Sequence, residues 1–107
     1  MKVDYEIYRT ETADLSLRKI ILYIASNFSN DVALSKLDEI EAGINRLSTS
    51  PYLGALAKEP VLKRKGYRVL VLEKNYVFYK IEENRKRIIV SLITDQRQDY
   101  LGIIRGL

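Results

Sequence analysis

The sequence predicts an α+β fold: an N-terminal strand, an antiparallel helical hairpin packed on a small antiparallel sheet, and a short C-terminal helix. The order is β-α-α-β-β-β with the helical tail. Three observations carry this. Apolar residues recur at spacings of three and four through the first half of the chain, then in short strand-length runs through the second. The connections between those later runs are too short for parallel crossovers. With 107 residues, the chain has the size of one domain, spanning 1–107.

Residues Lys2 to Arg9 read as a strand, because Val3, Tyr5 and Ile7 alternate with Lys2, Asp4 and Glu6. Thr10 or Thr12 can cap the helix that follows, its hydroxyl accepting from an orphan N–H of the first turn. Leu17, Ile20, Ile21, Ile24 and Phe28 then form one apolar stripe. Asn27 to Asp31 is a polar break of turn-forming residues. Leu34, Leu37, Ile40, Ile44 and Leu47 mark a second helix, which Ser48–Thr49–Ser50–Pro51 ends. Two striped helices with a short connection pack as an antiparallel hairpin.

Tyr52 to Lys65 holds Gly54, Pro60 and several charges and reads as an ordered loop. Tyr67–Leu72, Tyr76–Ile81 and Arg87–Ile93 read as three strands of a meander. Glu73–Asn75 and Glu82–Lys86 are the turns between them. The first strand is expected to join beside these later strands. The hairpin would cover one face of the sheet and leave the other available. The tail from Arg97 to Leu107 carries Tyr100–Leu101–Gly102–Ile103–Ile104 and reads as a short helix.

Composition excludes several function classes. The chain has no cysteine, so thiolate–zinc sites and disulfides are out, and a reducing cytoplasm suits it. It has no histidine either, which removes Ser–His and Cys–His catalysis. No cofactor or metal is expected. Its apolar runs are far shorter than the roughly 20 residues a bilayer span needs, and 30% of the residues are charged. The net charge of +4 is unevenly placed: residues 1–57 hold six Lys/Arg against eight Asp/Glu, and residues 58–107 hold twelve against six. A basic second half points to an anionic partner: nucleic acid, a nucleoprotein or an acidic protein segment.

Three stretches in sequence carry a family resemblance. They are Ala13–Asp14–Leu15 through Tyr23–Ile24, Ala33, Ile40, Ile44, Leu47 and Pro51–Tyr52–Leu53–Gly54; Tyr67 to Val71 with Asn75 to Ile81; and Val90 to Ile93 running into Asp95–Gln96–Arg97–Gln98–Asp99–Tyr100–Leu101. In this order and spacing they cover nearly the whole chain, which resembles the RelE/ParE superfamily of toxins from type II toxin–antitoxin systems. The resemblance implies a growth-inhibiting toxin held inactive by a labile cognate antitoxin. One branch of the superfamily cleaves messenger RNA on the ribosome and another poisons DNA gyrase. The shared fold cannot choose between them.

In the nuclease reading, the resemblance assigns Arg68 and Arg97 to clamping phosphate and Tyr100 to stacking on a base or transferring a proton. Arg64 and Lys65 would add phosphate contacts. The chain departs from the RelE pattern at Leu70 and Val77, where that pattern has cations, and Tyr100 stands closer to Arg97 than the pattern requires. A base drawn from tyrosine or lysine needs a dense cationic surround to lower its pKa, so these departures count against the nuclease. The long hairpin and its exit at Pro51–Gly54 look more like the ParE branch. There the basic tail, with Arg97, Tyr100 and Arg105, is the candidate gyrase-engaging surface. The antitoxin should bring acidic, amphipathic helices or an added strand to the cationic face or the hairpin groove. A third possibility is a non-toxic adaptor or nucleic-acid-binding domain.

Simpler readings exist for the same residues. Arg68 could pair with Glu73 or another carboxylate, and Tyr67, Tyr76 and Tyr79 could serve as sheet and core residues. Arg85–Lys86–Arg87 could form a solvated tip, and Tyr100 could anchor the tail.

Overall fold

The computed structural model describes residues 4–96. Strand β1 spans Glu6–Arg9, helix α1 Glu11–Asn27 and helix α2 Asn30–Arg46. Then come β2 (Ala55–Leu56), α3 (Pro60–Arg64), β3 (Arg68–Val71), β4 (Asn75–Glu82), a 3₁₀ turn (Glu83–Arg85) and β5 (Arg87–Asp95). The tail expected to form a C-terminal helix lies outside the described residues.

Thr10 is the cap that α1 uses: its hydroxyl accepts from Ala13 N at 3.1 Å. Ser29 does the same for α2, accepting from Val32 N at 3.1 Å. Only Phe28 and Ser29 separate the helices, so they run antiparallel. Two expected stripe residues fall outside the core. Phe28 is the C-cap of α1 and is 71% exposed, while Leu34 is 57% exposed because Ala33 takes its place at the contact. At 100° per residue, Ala33, Ile40 and Ile44 share a face and Leu34 sits about a quarter-turn away.

The sheet has the order β1-β5-β4-β3-β2. The meander β3–β4–β5 is antiparallel as expected, and β1 pairs with β5, but in parallel, with Ile7 beside Ile88. A chain that leaves β1, makes a two-helix excursion and returns through the meander reaches β5 in the same direction. Where β1 ends, side chains of α1 take over the β5 edge. Thr10 Oγ1 donates to Ser91 O at 3.3 Å, and Ser16 Oγ accepts from Ile93 N at 3.1 Å.

On the hairpin side, Leu17, Ile40, Ile44 and Leu47 pack with Leu70, Val77, Tyr79 and Ile93. The opposite face is less open than the sequence implied. Ala57, Leu62, Tyr67, Phe78 and Leu92 form a second, smaller core there. Burial on both faces accounts for the continuous apolar run in β5.

The residues read as loop are what cover that second face. Glu59 caps α3 by accepting from Leu62 N at 2.9 Å, and Pro60 opens it. Gly66, with φ of +83°, closes it. Gly66 N donates to Lys63 O and Tyr67 N to Leu62 O, each at 3.0 Å, which is a Schellman ending. This hands the chain directly to β3 and sets Leu62, 2% exposed, against the sheet.

Candidate functional site

Residues directly opposite on neighbouring strands share a face of the sheet. Arg68 is opposite Tyr79, whose ring lies in the hairpin-side core, so Arg68 projects to that side. There its Nε and Nη2 both donate to Gly54 O, at 3.0 and 2.6 Å. Its guanidinium also lies 5.0 Å from the centre of the Tyr52 ring. Among the described residues, then, Arg68 is partnered by a carbonyl and a ring face, not by Glu73 or another carboxylate.

Tyr79 holds the same turn. Its hydroxyl donates to Pro51 O at 2.7 Å and accepts from Gly54 N at 3.0 Å. Tyr79 is 0% exposed, so an open sheet position is excluded for it, and Tyr67 at 6% is likewise a core residue.

From Tyr52 the network continues to the β4–β5 connection. The Glu83 carboxylate accepts from Tyr52 OH at 2.6 Å, from Tyr5 OH at 2.9 and 3.0 Å, and from Lys86 Nζ at 3.2 Å. These bonds favour the ionised form: those from Tyr52, then Tyr5 and Lys86, hold the Glu83 carboxyl below its ordinary value. Conversely, donating to that carboxylate pushes the Tyr52 hydroxyl up. Bonding to Tyr5 and Glu83 pushes the Lys86 ammonium up as well. Lys86, at φ 50°, sits in the left-handed region. The Arg85–Lys86–Arg87 cluster is thus more than a solvated tip. Lys86 is bonded back to the N-terminal strand, and Arg87 begins β5, bonded to Glu82 at 2.9 Å and lying over the Tyr8 ring.

The opposite face of the sheet, called the front below, carries a different set. Lys80 lies 4.5 Å from the centre of the Tyr67 ring, and Arg87 5.6 Å from that of Tyr8. Arg64 is the last residue of α3 and Lys65 its C-cap, both exposed at the rim of this face. Strand alternation in Tyr76–Ile81 could have singled out Lys80 at the sequence level. The capping role of α3 had no comparably strong signal. Arg97 and Tyr100 lie outside the described residues. Among the described site residues, then, Arg68 is separated from Lys80 and Arg87 by the thickness of the sheet. Leu70 and Val77 lie on the side of Arg68 and are 4% and 0% exposed. No group of acidic residues among those described could hold a metal ion, and no described helix is long and apolar enough to cross a membrane.

Among solved structures, two share this fold. A chain of the chromosomal ParDE toxin–antitoxin system from P. aeruginosa superposes with a TM-score of 0.71 at 19% identity, covering 85% of this chain and 95% of that one. A chain of the RelBE2 toxin–antitoxin complex from Mycobacterium tuberculosis gives 0.63 at 15% identity, covering 92% and 98%. At such identities the likeness is one of fold. No curated protein matches the sequence significantly. The family model of the ParE toxin of type II toxin–antitoxin systems, parDE, matches residues 7–100, which takes in all three helices and, but for Glu6, every strand of the sheet. The chain belongs to the ParE toxin family.

Proposed function

We propose that this protein inhibits growth by acting on DNA gyrase, and that a cognate antitoxin holds it inactive. The observation that carries the choice of target is the position of Arg68. An RNA-cleaving site built on the superfamily's other pattern would need Arg68 on a phosphate, among further cations. Here two of its donors are spent on Gly54 O and its plane on Tyr52. The two positions where that pattern has further cations are the core residues Leu70 and Val77. Placing a charge at either would leave it unpaired in an apolar interior.

An inhibitor of gyrase needs a surface and not a proton-transfer set. The basic tail with Arg97, Tyr100 and Arg105 is the proposed gyrase-engaging segment. The match to the ParE family supports this target, and the two similar folds, both from toxin–antitoxin systems, support an antitoxin partner.

Two assays on the purified chain test the reading. Inhibition of gyrase supercoiling, with ribosome-bound transcripts left intact, is the expected result. Transcript cleavage that disappears in Arg97→Ala would replace it with the ribonuclease, and absence of both effects would leave a non-toxic adaptor.

A further inference from the structure

We infer that the turn end of the α1–α2 hairpin is a contact surface for a second copy of this chain, the two tips packing across a two-fold axis. This goes beyond the toxin reading and does not depend on it.

The hairpin leaves the core before it turns. Contact with the main core runs from Ala13 to Ile21 along α1 and from Leu37 to Leu47 on the way out of α2. Between these limits Leu22, Tyr23, Phe28, Val32 and Leu34 are each more than half exposed. All five lie within two helical turns of the Phe28–Ser29 link, so they gather at one end of the molecule. Charge is scarce at this end. Residues 20–35 hold a single charged side chain, Asp31, in a chain of which 30% is charged. Asp31 lies in the first turn of α2, where a carboxylate stabilises the helix N-terminus. Lys36, the next cation along α2, is paired with Glu39 at 3.1 Å. Exposed aromatic and aliphatic residues with almost no charge are what the centre of a protein–protein interface is made of.

An uncharged tip selects its occupant. A nucleic acid or an acidic peptide needs cations to meet it, and residues 20–35 have none. An anionic lipid surface needs them too, and would face Asp31. A second copy brings the same surface, so a two-fold contact sets apolar against apolar with only Asp31 to keep at the rim. The area agrees. Tyr23 and Phe28 each leave on the order of 100 Å² to bury. Together with Leu22, Val32 and Leu34, two mated tips reach on the order of 1,000 Å², the size at which a weak, reversible dimer begins. Such a dimer leaves the front of the sheet uncovered, because the hairpin packs on the other face.

Sedimentation equilibrium of the purified full chain, from low to high micromolar concentration, tests this. It compares the wild type with Leu22→Glu and Phe28→Glu at the tip and with Val71→Glu, an exposed apolar position on the front. All three substitutions fall at exposed positions, and melting midpoints at low concentration establish that the variants are folded. The expected result is a wild-type monomer–dimer equilibrium that Val71→Glu preserves and that each tip variant weakens tenfold or more. Because the contact is apolar, rising salt should leave the wild-type dimer intact. A wild type that stays monomeric throughout overturns the inference and gives the tip to another protein or to residues 97–107. A dimer that survives both tip substitutions, or that Val71→Glu disrupts equally, overturns it by placing the interface elsewhere. A dimer that salt dissociates overturns it in favour of a charged contact.

Discussion

Arg68 and Tyr79, side by side on β3 and β4, hold the two ends of the Pro51–Gly54 turn: Tyr79 OH donates to Pro51 O, while Arg68 donates to Gly54 O. The turn is where the chain leaves the hairpin and enters the sheet, so these two side chains couple the two layers. Removing the Tyr79 hydroxyl strands Gly54 N and Pro51 O beneath an otherwise intact ring. Tyr79→Phe is expected to lower unfolding free energy by about 1–3 kcal/mol. Urea denaturation measures this, and a midpoint equal to the wild type would show that the turn does not depend on the hydroxyl.

Gly54 is constrained by space. A Cβ there would stand 2.6 Å from Val69 O and 2.9 Å from Tyr79 Cε1, so backbone would have to move. Gly54→Ala should cost roughly 1–3 kcal/mol, the range for overpacking. At Gly43, within α2, an added Cβ meets only the tip of Leu72, with Cδ2 at 2.7 Å. Leu72 can rotate, and alanine gains up to about 1 kcal/mol of helix propensity over glycine. Gly43→Ala should therefore melt close to the wild type. Equal melting temperatures for the two alanine variants would contradict this contrast.

Ser16 closes a gap in the sheet. Its hydroxyl donates to Ala13 O at 2.8 Å and accepts from Ile93 N, beyond the end of β1. Ser16→Ala leaves that N–H in a buried strand without an acceptor, at an expected cost of about 1–3 kcal/mol. Amide exchange at Ile93, whose N–H loses its acceptor, should quicken more than at Val90, which lies within the pairing of β5 with β4 and makes no bond to Ser16. Uniform quickening along β5 would argue for a global effect instead.

The Glu83 network carries a pH signature. Its folded-state pKa is depressed below the ordinary 4.5, so its contribution is present above that value and lost as pH falls through the lower, folded one. Tyr52 and Lys86 have raised folded-state values, so theirs are present below the ordinary 10.0 and 10.5 and fade as pH rises beyond them. All three groups are exposed, and salt should weaken these effects. On acidification below about pH 4.5, the unfolding midpoint of the wild type should fall more steeply than that of Glu83→Gln. Parallel profiles for the two proteins would remove Glu83 as the source.

Arg68→Ala bears on both fold and function. Losing two donors to Gly54 O and the stacking on Tyr52 should lower stability by about 1.5–3 kcal/mol, as for a charged hydrogen-bonding group. In the gyrase reading, inhibition should then follow the folded fraction of the protein. A folded variant with abolished inhibition would give Arg68 a direct role at the target.

Element order was legible because the burial pattern is local. Spacings of three and four through Leu47, and strand runs from Tyr67 onward, report which side of each segment faces an interior. A threonine cap at position 10 or 12 was legible for the same reason, and the structure uses Thr10. The family was legible from the hairpin exit and the strand patterns taken together, and the match over residues 7–100 bears it out.

What the sequence could determine alone was the type and order of the first strand, the two long helices and the meander strands, the absence of thiol and imidazole chemistry, and a basic second half. Only tertiary structure decided which strand β1 would join, what Arg68 would hold, and how far residues 57–67 would close the front. The physical reason is separation along the chain. Arg68 meets Gly54 at 14 residues' distance, Tyr79 meets Gly54 at 25 and Pro51 at 28, and Ser16 meets Ile93 at 77. Each is a polar group whose partner is set by where the packed layers bring it. Apolar periodicity places those layers, but it does not say which donor will meet which carbonyl.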